Sequence, residues 1–180
     1  LTQKLIAFSE KESSKFELTD MGKLLSGSVP LPLRGSQVTH GISAATDLWQ
    51  VNINPEQIVQ VINNLVINAQ QAMPGGGSIK VIAENFYCEL DNRLNLREGR
   101  YIKVSICDHG SGFTKAIEGS IFDAFFTTKK NSSGLGLTSS KSIIEKHKGC
   151  IEASSTPDVG TVLSFYLPVG SDRVSLEIVP

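Results

Sequence analysis

Residue types able to do chemistry gather in three stretches of this chain. The first is INNLVINAQQAM at residues 62–73, where apolar residues recur at helical spacing while the polar side is built from carboxamides. From residue 56 to residue 73 there is no Lys or Arg, and Glu56 is the single acid. Asn64 and Asn68 are i,i+4 neighbours, and Gln57, Gln60 and Gln71 extend the same side. Carboxamide oxygens are hard, neutral ligands suited to Mg2+, which keeps several waters and leans on substrate phosphates. A neutral face also avoids repelling a polyphosphate. The plainer alternative is a polar helix side that happens to use Asn and Gln.

The second stretch is DHGSG at residues 108–112. Asp108 continues the inward side of an apolar strand, and a buried carboxylate needs strong donors to stay charged. Gly110 and Gly112 let backbone approach another group closely. A carboxylate there suits the exocyclic amino group of a purine, a hydrogen bond to a charged acceptor contributing roughly 1.5–3 kcal/mol. A D-x-G turn at a strand end is the competing reading. The third stretch is SSGLGL at residues 132–137, where Gly134, Leu135 and Gly136 lead into a helix. Exposed N–H groups and the positive helix end would suit phosphates, although a lone G-x-G is often only a flexible loop. Just upstream, Thr127, Thr128, Lys129 and Lys130 add hydroxyls and cations.

These stretches need a frame. Residues 1–10 (LTQKLIAFSE) place Leu1, Leu5 and Phe8 on one stripe and read as the stub of a longer helix. Between residues 16 and 34 the pattern predicts a short strand, a helix over about residues 20–26 and an exit broken by Pro30 and Pro32. Residues 41–53 read as one strand. Pro55 then opens the amide helix, which the PGGG run after Met73 ends. Residues 78–87 alternate as a strand, residues 89–100 as a loop, and YIKVSICD sets Ile102, Val104, Ile106 and Asp108 on one side of the next strand. Residues 110–134 read mostly as loop and residues 135–147 as a helix whose end would welcome a charged His147. Residues 150–168 form a hairpin turning at residues 157–160, with Thr161, Leu163, Phe165 and Leu167 inward.

The whole chain allows this frame. Its 180 residues are enough for one domain with a real core. Hydrophobic content of 40%, charged content of 19% and a net charge of −1 describe a globular chain with no basic footprint for nucleic acid. No apolar run approaches a membrane span. The three cysteines form no C-x-x-C pair, so neither a zinc site nor a disulfide framework is expected.

Taken in order, the amide helix, DHGSG, IFDAFFTTK at residues 121–129 and SSGLGL make a specific series. The chain resembles the ATP-binding catalytic (HATPase_c) domain of bacterial sensor histidine kinases, of the GHKL ATPase superfamily. NLVINA at residues 64–69 matches the N box, DHGSG the first glycine box, IFDAFFTTK the F box and SSGLGL the second glycine box. The resemblance implies an α+β fold, a two-layer α/β sandwich with a mixed β-sheet packed on helices (the Bergerat or GHKL fold). Residues 1–12 would be the stub of the dimerisation helix, residues 13–170 the catalytic ATP-binding domain and residues 171–180 a tail.

By the same likeness, Asp108 would read the adenine amino group, with Gly110 and Gly112 shaping the base pocket. Asn64 and Asn68 would hold Mg2+ and the phosphates. Gln71 stands where many members carry a basic residue that contacts phosphate. Phe122, Phe125, Thr128, Lys129, Gly134, Leu135 and Gly136 would belong to a mobile lid and its phosphate loop. Hydrolytic relatives such as gyrase, Hsp90 and MutL place a general-base Glu where this chain has Asn64, which cannot accept a proton at neutral pH. The γ-phosphate of ATP is therefore expected to pass to a histidine on a dimerisation domain, and from there to a response regulator receiver domain. None of His40, His109 and His147 has the sequence context of a phosphoacceptor, so this chain alone should bind ATP without phosphorylating itself. The parent would be a homodimeric, cytoplasmic protein-histidine kinase, with or without an anchor in the inner membrane, and with no nucleic-acid partner. A degenerate nucleotide-sensing or interaction module and a gyrase- or Hsp90-like ATPase are the alternatives.

Overall fold

The computed structural model describes residues 15–127 and 134–170. The elements, in chain order, are β1 (Glu17–Thr19), α1 (Met21–Ser28), β2 (Val38–Ala44), β3 (Val51–Ile53), α2 (Pro55–Ala72), β4 (Gly77–Cys88), β5 (Gly99–Asp108), α3 (Gly136–Lys146), β6 (Cys150–Thr156) and β7 (Gly160–Pro168), with a single 3-10 turn at Lys115–Ile117. Five strands form one mixed sheet in the order β2-β4-β5-β7-β6, and β1 pairs with β3 in a small second sheet. β2 runs parallel to β4, and the other neighbours in the large sheet are antiparallel. The three helices and the sheet make the expected α+β sandwich.

Helix α2 is the centre of the core. Asn54 caps it by accepting the Gln57 N–H (3.1 Å), and Pro55 occupies the first turn, where its missing N–H costs nothing. Its buried side carries Ile58, Val61, Ile62, Leu65, Val66 and Ala69, each larger side chain contributing about 1.5–3 kcal/mol by leaving water. These pack with Ile79, Val81 and Ala83 of β4, with Ile102, Val104 and Ile106 of β5, and with Leu163, Phe165 and Leu167 of β7. The inward faces match the period-two pattern of the sequence. Among the described residues no helix is long and apolar enough to cross a membrane.

Three features depart from the sequence reading. Residues 41–53 are not one strand but the end of β2 and all of β3, which lie in different sheets. The break has a physical cause: the Asn85 side chain accepts from the Trp49 N–H (2.9 Å) and donates to the Asp47 carbonyl (3.0 Å), turning the chain off the sheet edge. The outer sheet face also holds a small core of Cys88, Tyr101 and Tyr166, onto which the loop after β4 lays Leu94 and Leu96. His147, expected as a welcome charge, is instead 4% exposed at the end of α3. Its Nε2 accepts the Asn54 N–H (3.0 Å), which leaves Nδ1–H to donate to the Ile143 carbonyl (2.8 Å). Burial pushes its pKa below the ordinary histidine value, with the Ile143 contact acting in the opposite direction. The ring is thus a neutral tie between two helices.

The N-terminal stub, the tail, Thr128, Lys129, Lys130 and Ser132 lie outside the described residues.

Candidate functional site

A cavity of about 430 Å3 opens between the second half of α2, the ends of β5 and β7, and the start of α3. Asn64, Asn68, Gln71 and Ala72 supply one wall from a single helix side. Asp108, Gly112, Thr161 and Leu163 form the end against the sheet. Phe113, Ile117, Ile121, Phe126 and Leu137 make the remaining wall apolar, and Gly134 and Gly136 stand at the entry to α3. A concave, mostly apolar cleft with a few convergent polar groups is the usual form of a small-molecule site.

Asp108 sits in this cavity because β5 delivers it there. The strand alternates, so the residue after buried Ile106 on the same side also points inward, and Asp108 is only 7% exposed. Its Oδ1 accepts the Gly110 N–H at 2.8 Å, which orients the carboxyl from below. The following turn is clamped from both sides. The Ser111 N–H donates to the Ala72 carbonyl at the end of α2 (3.2 Å), and the Ser111 carbonyl accepts from Asp158 in the β6–β7 turn (2.9 Å). The Phe113 N–H donates to Ser155 Oγ (2.9 Å), whose hydroxyl donates to the Gly160 carbonyl (2.9 Å).

Both glycines of this turn are steric requirements. A Cβ on Gly110 would run into Ala72, so the glycine lets β5 abut the helix end. Gly112 has φ +61°, and a Cβ there would collide with the Thr156 carbonyl. Gly110 itself is not on the cavity wall. Its part is to let Asp108 and Ala72 come together, whereas Gly112 lies on the wall.

The amide side of α2 divides into two uses. Gln60 Nε2 donates to Ser139 Oγ (3.4 Å), and Asn64 Nδ2 reaches the Gly136 carbonyl (3.1 Å) and Ser140 Oγ (3.3 Å) on α3. Ser140 is wholly buried, so a Lys or Glu at position 64 would carry charge into this helix contact. Further along, Asn68 and Gln71 face the cavity. The neutrality of the helix therefore answers to packing against α3 at one place and to the cavity wall at the other.

The residues of the IFDAFFTTK stretch divide between cavity wall, core and surface. Phe126 and Thr127 line the cavity, whereas Phe122 packs half-buried against the core and Phe125 is 73% exposed with φ +66°. Leu135 is also off the wall, and its neighbour Leu137 takes that place. Ile117, Ile121, Thr161 and Leu163 are further wall residues that motif spacing did not single out; the inward parity of Thr161 and Leu163 was the signal that pointed to them.

Among the described residues no group of three His, Cys, Asp or Glu could hold a metal. The donors that α2 offers are carboxamide oxygens, a set that fits Mg2+ only when the ligand's own oxygens and water complete its shell.

Comparison with known proteins agrees with this geometry. The family described as histidine kinase-, DNA gyrase B-, and HSP90-like ATPase matches residues 53–171. The chain is 33% identical over 175 residues to the sensor kinase CckA of Brucella abortus, covering 93% of this chain and 18% of CckA. It is 30% identical over 175 residues to the signal transduction histidine-protein kinase AtoS of Escherichia coli, covering 93% of this chain and 26% of AtoS. The solved catalytic domain of histidine kinase ThkA, in a nucleotide-free form, superposes with a TM-score of 0.69 at 27% identity, over 86% of this chain and 95% of that one. The chain thus spans a third or less of CckA and AtoS and nearly all of the ThkA domain.

Proposed function

This chain belongs to the histidine kinase-, DNA gyrase B- and HSP90-like ATPase family, as an ATP-binding domain of the sensor histidine kinase type, and we propose that its cavity holds Mg-ATP and delivers the γ-phosphate to a histidine on a dimerisation domain. The observation that carries the reading is the convergence of Asp108 and the amide side of α2 on one cavity. Asp108, held by the Gly110 N–H, would accept the adenine amino group. Apolar Phe113, Ile117, Ile121 and Leu163 would sandwich the base. Asn68, Gln71 and the glycine-led start of α3 would face the phosphates, with Thr128 and Lys129 adding to the phosphate loop. Asn64 and Asn68 oxygens would hold Mg2+, which when bound neutralises phosphate charge.

The chemistry favoured is transfer, not hydrolysis. Asn64 lies on the cavity wall with its amide nitrogen committed to Gly136 and Ser140, and a carboxamide is no base for activating water. Phosphoryl transfer needs positioning and charge neutralisation more than covalent help. The acceptor would come from the dimerisation domain of the same homodimeric protein, in the cytoplasm where ATP is available, and a response regulator receiver domain would take the phosphate onward. His147 is buried between two helices and cannot serve as acceptor without their separation.

The test is transfer in trans. The chain is mixed with γ-labelled ATP and a dimerisation domain carrying its histidine, and acid-labile phosphate on that domain is measured. Label on the added domain and none on this chain is the predicted result. Steady release of inorganic phosphate without label would instead indicate an ATPase, and ATP binding with neither outcome would indicate a sensing module.

A further inference from the structure

Helices α2 and α3 are tied at two places. Near the cavity, Gln60 and Asn64 bond to Ser139, Gly136 and Ser140. About 15 Å away along α2, the His147 ring bonds to Asn54 at the helix start. Two separated ties fix the angle between two helices, whereas one leaves a pivot. The amide side of α2 and the start of α3 form facing walls of the same cavity, so that angle sets the cavity's width.

We propose that His147 is a positioning residue for the nucleotide site, holding α2 and α3 at the separation that phosphate binding requires and doing so only as a neutral imidazole. The proposal rests on the nucleotide reading given above. The Asn54 N–H points at Nε2, so Nε2 must present a lone pair. A proton there sets donor against donor and removes the tie. Each packed element leaves the ring without a counter-charge. The lead-in to β1 stacks Phe16 on it (centroids 4.8 Å), α2 offers the Asn54 N–H, and α3 offers the Ile143 carbonyl. The charges closest along the chain to these contacts, Lys15 and Glu17 beside Phe16, Glu56 on α2, and Glu145, Lys146 and Lys148 around the end of α3, are all exposed. Burial lowers the pKa of the ring and the Ile143 contact opposes that shift.

The test uses the whole 180-residue chain, labelled with 15N. In wild type, as the pH is lowered through and below the ordinary histidine value of 6.5, His147 should take up its proton, and the Asn54 amide resonance should move in step with the ring nitrogens. Over the same range the affinity for Mg-ATP, by calorimetry, should fall about fivefold more than in His147→Gln. The glutamine carbonyl can accept from Asn54 but does not titrate, so the nucleotide's own protonation cancels in the comparison. His147→Phe keeps the ring and loses the acceptor, and should bind Mg-ATP about fivefold more weakly at neutral pH as well. Equal pH dependence in wild type and His147→Gln, or an Asn54 amide indifferent to the His147 titration, overturns the proposal. If the glutamine variant fails to fold, the wild-type resonances decide alone. Absence of Mg-ATP binding to wild type at neutral pH would overturn the nucleotide reading too, and is recognised by that absence.

Discussion

The two ends of the α2–α3 pair solve opposite problems with the same neutral polar groups. At the Asn54–His147 end each polar atom of the ring has a partner, exposure is negligible, and the contact is closed. At the other end, Asn68 and Gln71 face a cavity, and Asp108 stands 7% exposed across from them. The closed end explains why the open end can exist. A helix pair tied at its far end and again through Gln60 and Asn64 can carry polar cavity walls beyond those ties.

Substitutions should separate the two ends. The largest effect is expected at Gly112→Ala, which must adopt a left-handed backbone and push a Cβ into the Thr156 carbonyl. A loss of about 3 kcal/mol is expected from strain and overpacking together, a Tm drop of roughly 6–12 °C by calorimetry. A Tm within a degree of wild type would show that the turn is not clamped as described.

Asp108→Asn should act on binding, not on the fold. The amide can still accept from Gly110, but a charged acceptor is exchanged for a group that is half donor. Loss of about 1.5–3 kcal/mol predicts ATP affinity lower by roughly ten- to a hundredfold at nearly unchanged Tm. Unchanged affinity would remove Asp108 from the base pocket. Asn68→Ala should be milder, about 1 kcal/mol, and confined to the Mg2+-dependent part of ATP affinity. Persistence of full magnesium dependence would reassign the metal contact.

The smallest effect belongs to the closed end. The folded-state pKa of His147 is lowered, so as pH falls past about 6.5 the unfolded chain takes up the proton first. Stability should therefore be full above that pH and decline as acid is added down through the folded pKa. Urea unfolding of wild type against His147→Gln should show this slope in wild type alone.

Much of this was legible in the sequence. The period-two runs of β4, β5 and β7 and the period-3.6 run of α2 placed the core, and the parity of β5 placed Asp108 inward. Pro55 and the PGGG run bounded α2 because starting and breaking a helix are local chemistry. Long-range contacts were not legible. The split of residues 41–53 depends on Asn85, which lies over thirty residues away, and the neutrality of His147 depends on Asn54. The exchange of Phe125 for Phe126 on the wall turns on one left-handed residue, and a bulky aromatic gives no sign of that conformation. Gly110 shows the same limit: its type announced a close approach, but only the fold shows that the approach is to Ala72.

The central claim is that one cavity, bounded by the end of β5 and the amide side of α2, receives the nucleotide. Titrating Mg-ATP into the 15N-labelled chain and following the backbone amides tests it most directly. The largest shifts should fall on Asn68, Gln71, Asp108, Gly112 and Thr161, with little change at Tyr101 and Tyr166 on the outer sheet face. Shifts concentrated on that outer face, with the cavity residues still, would contradict it.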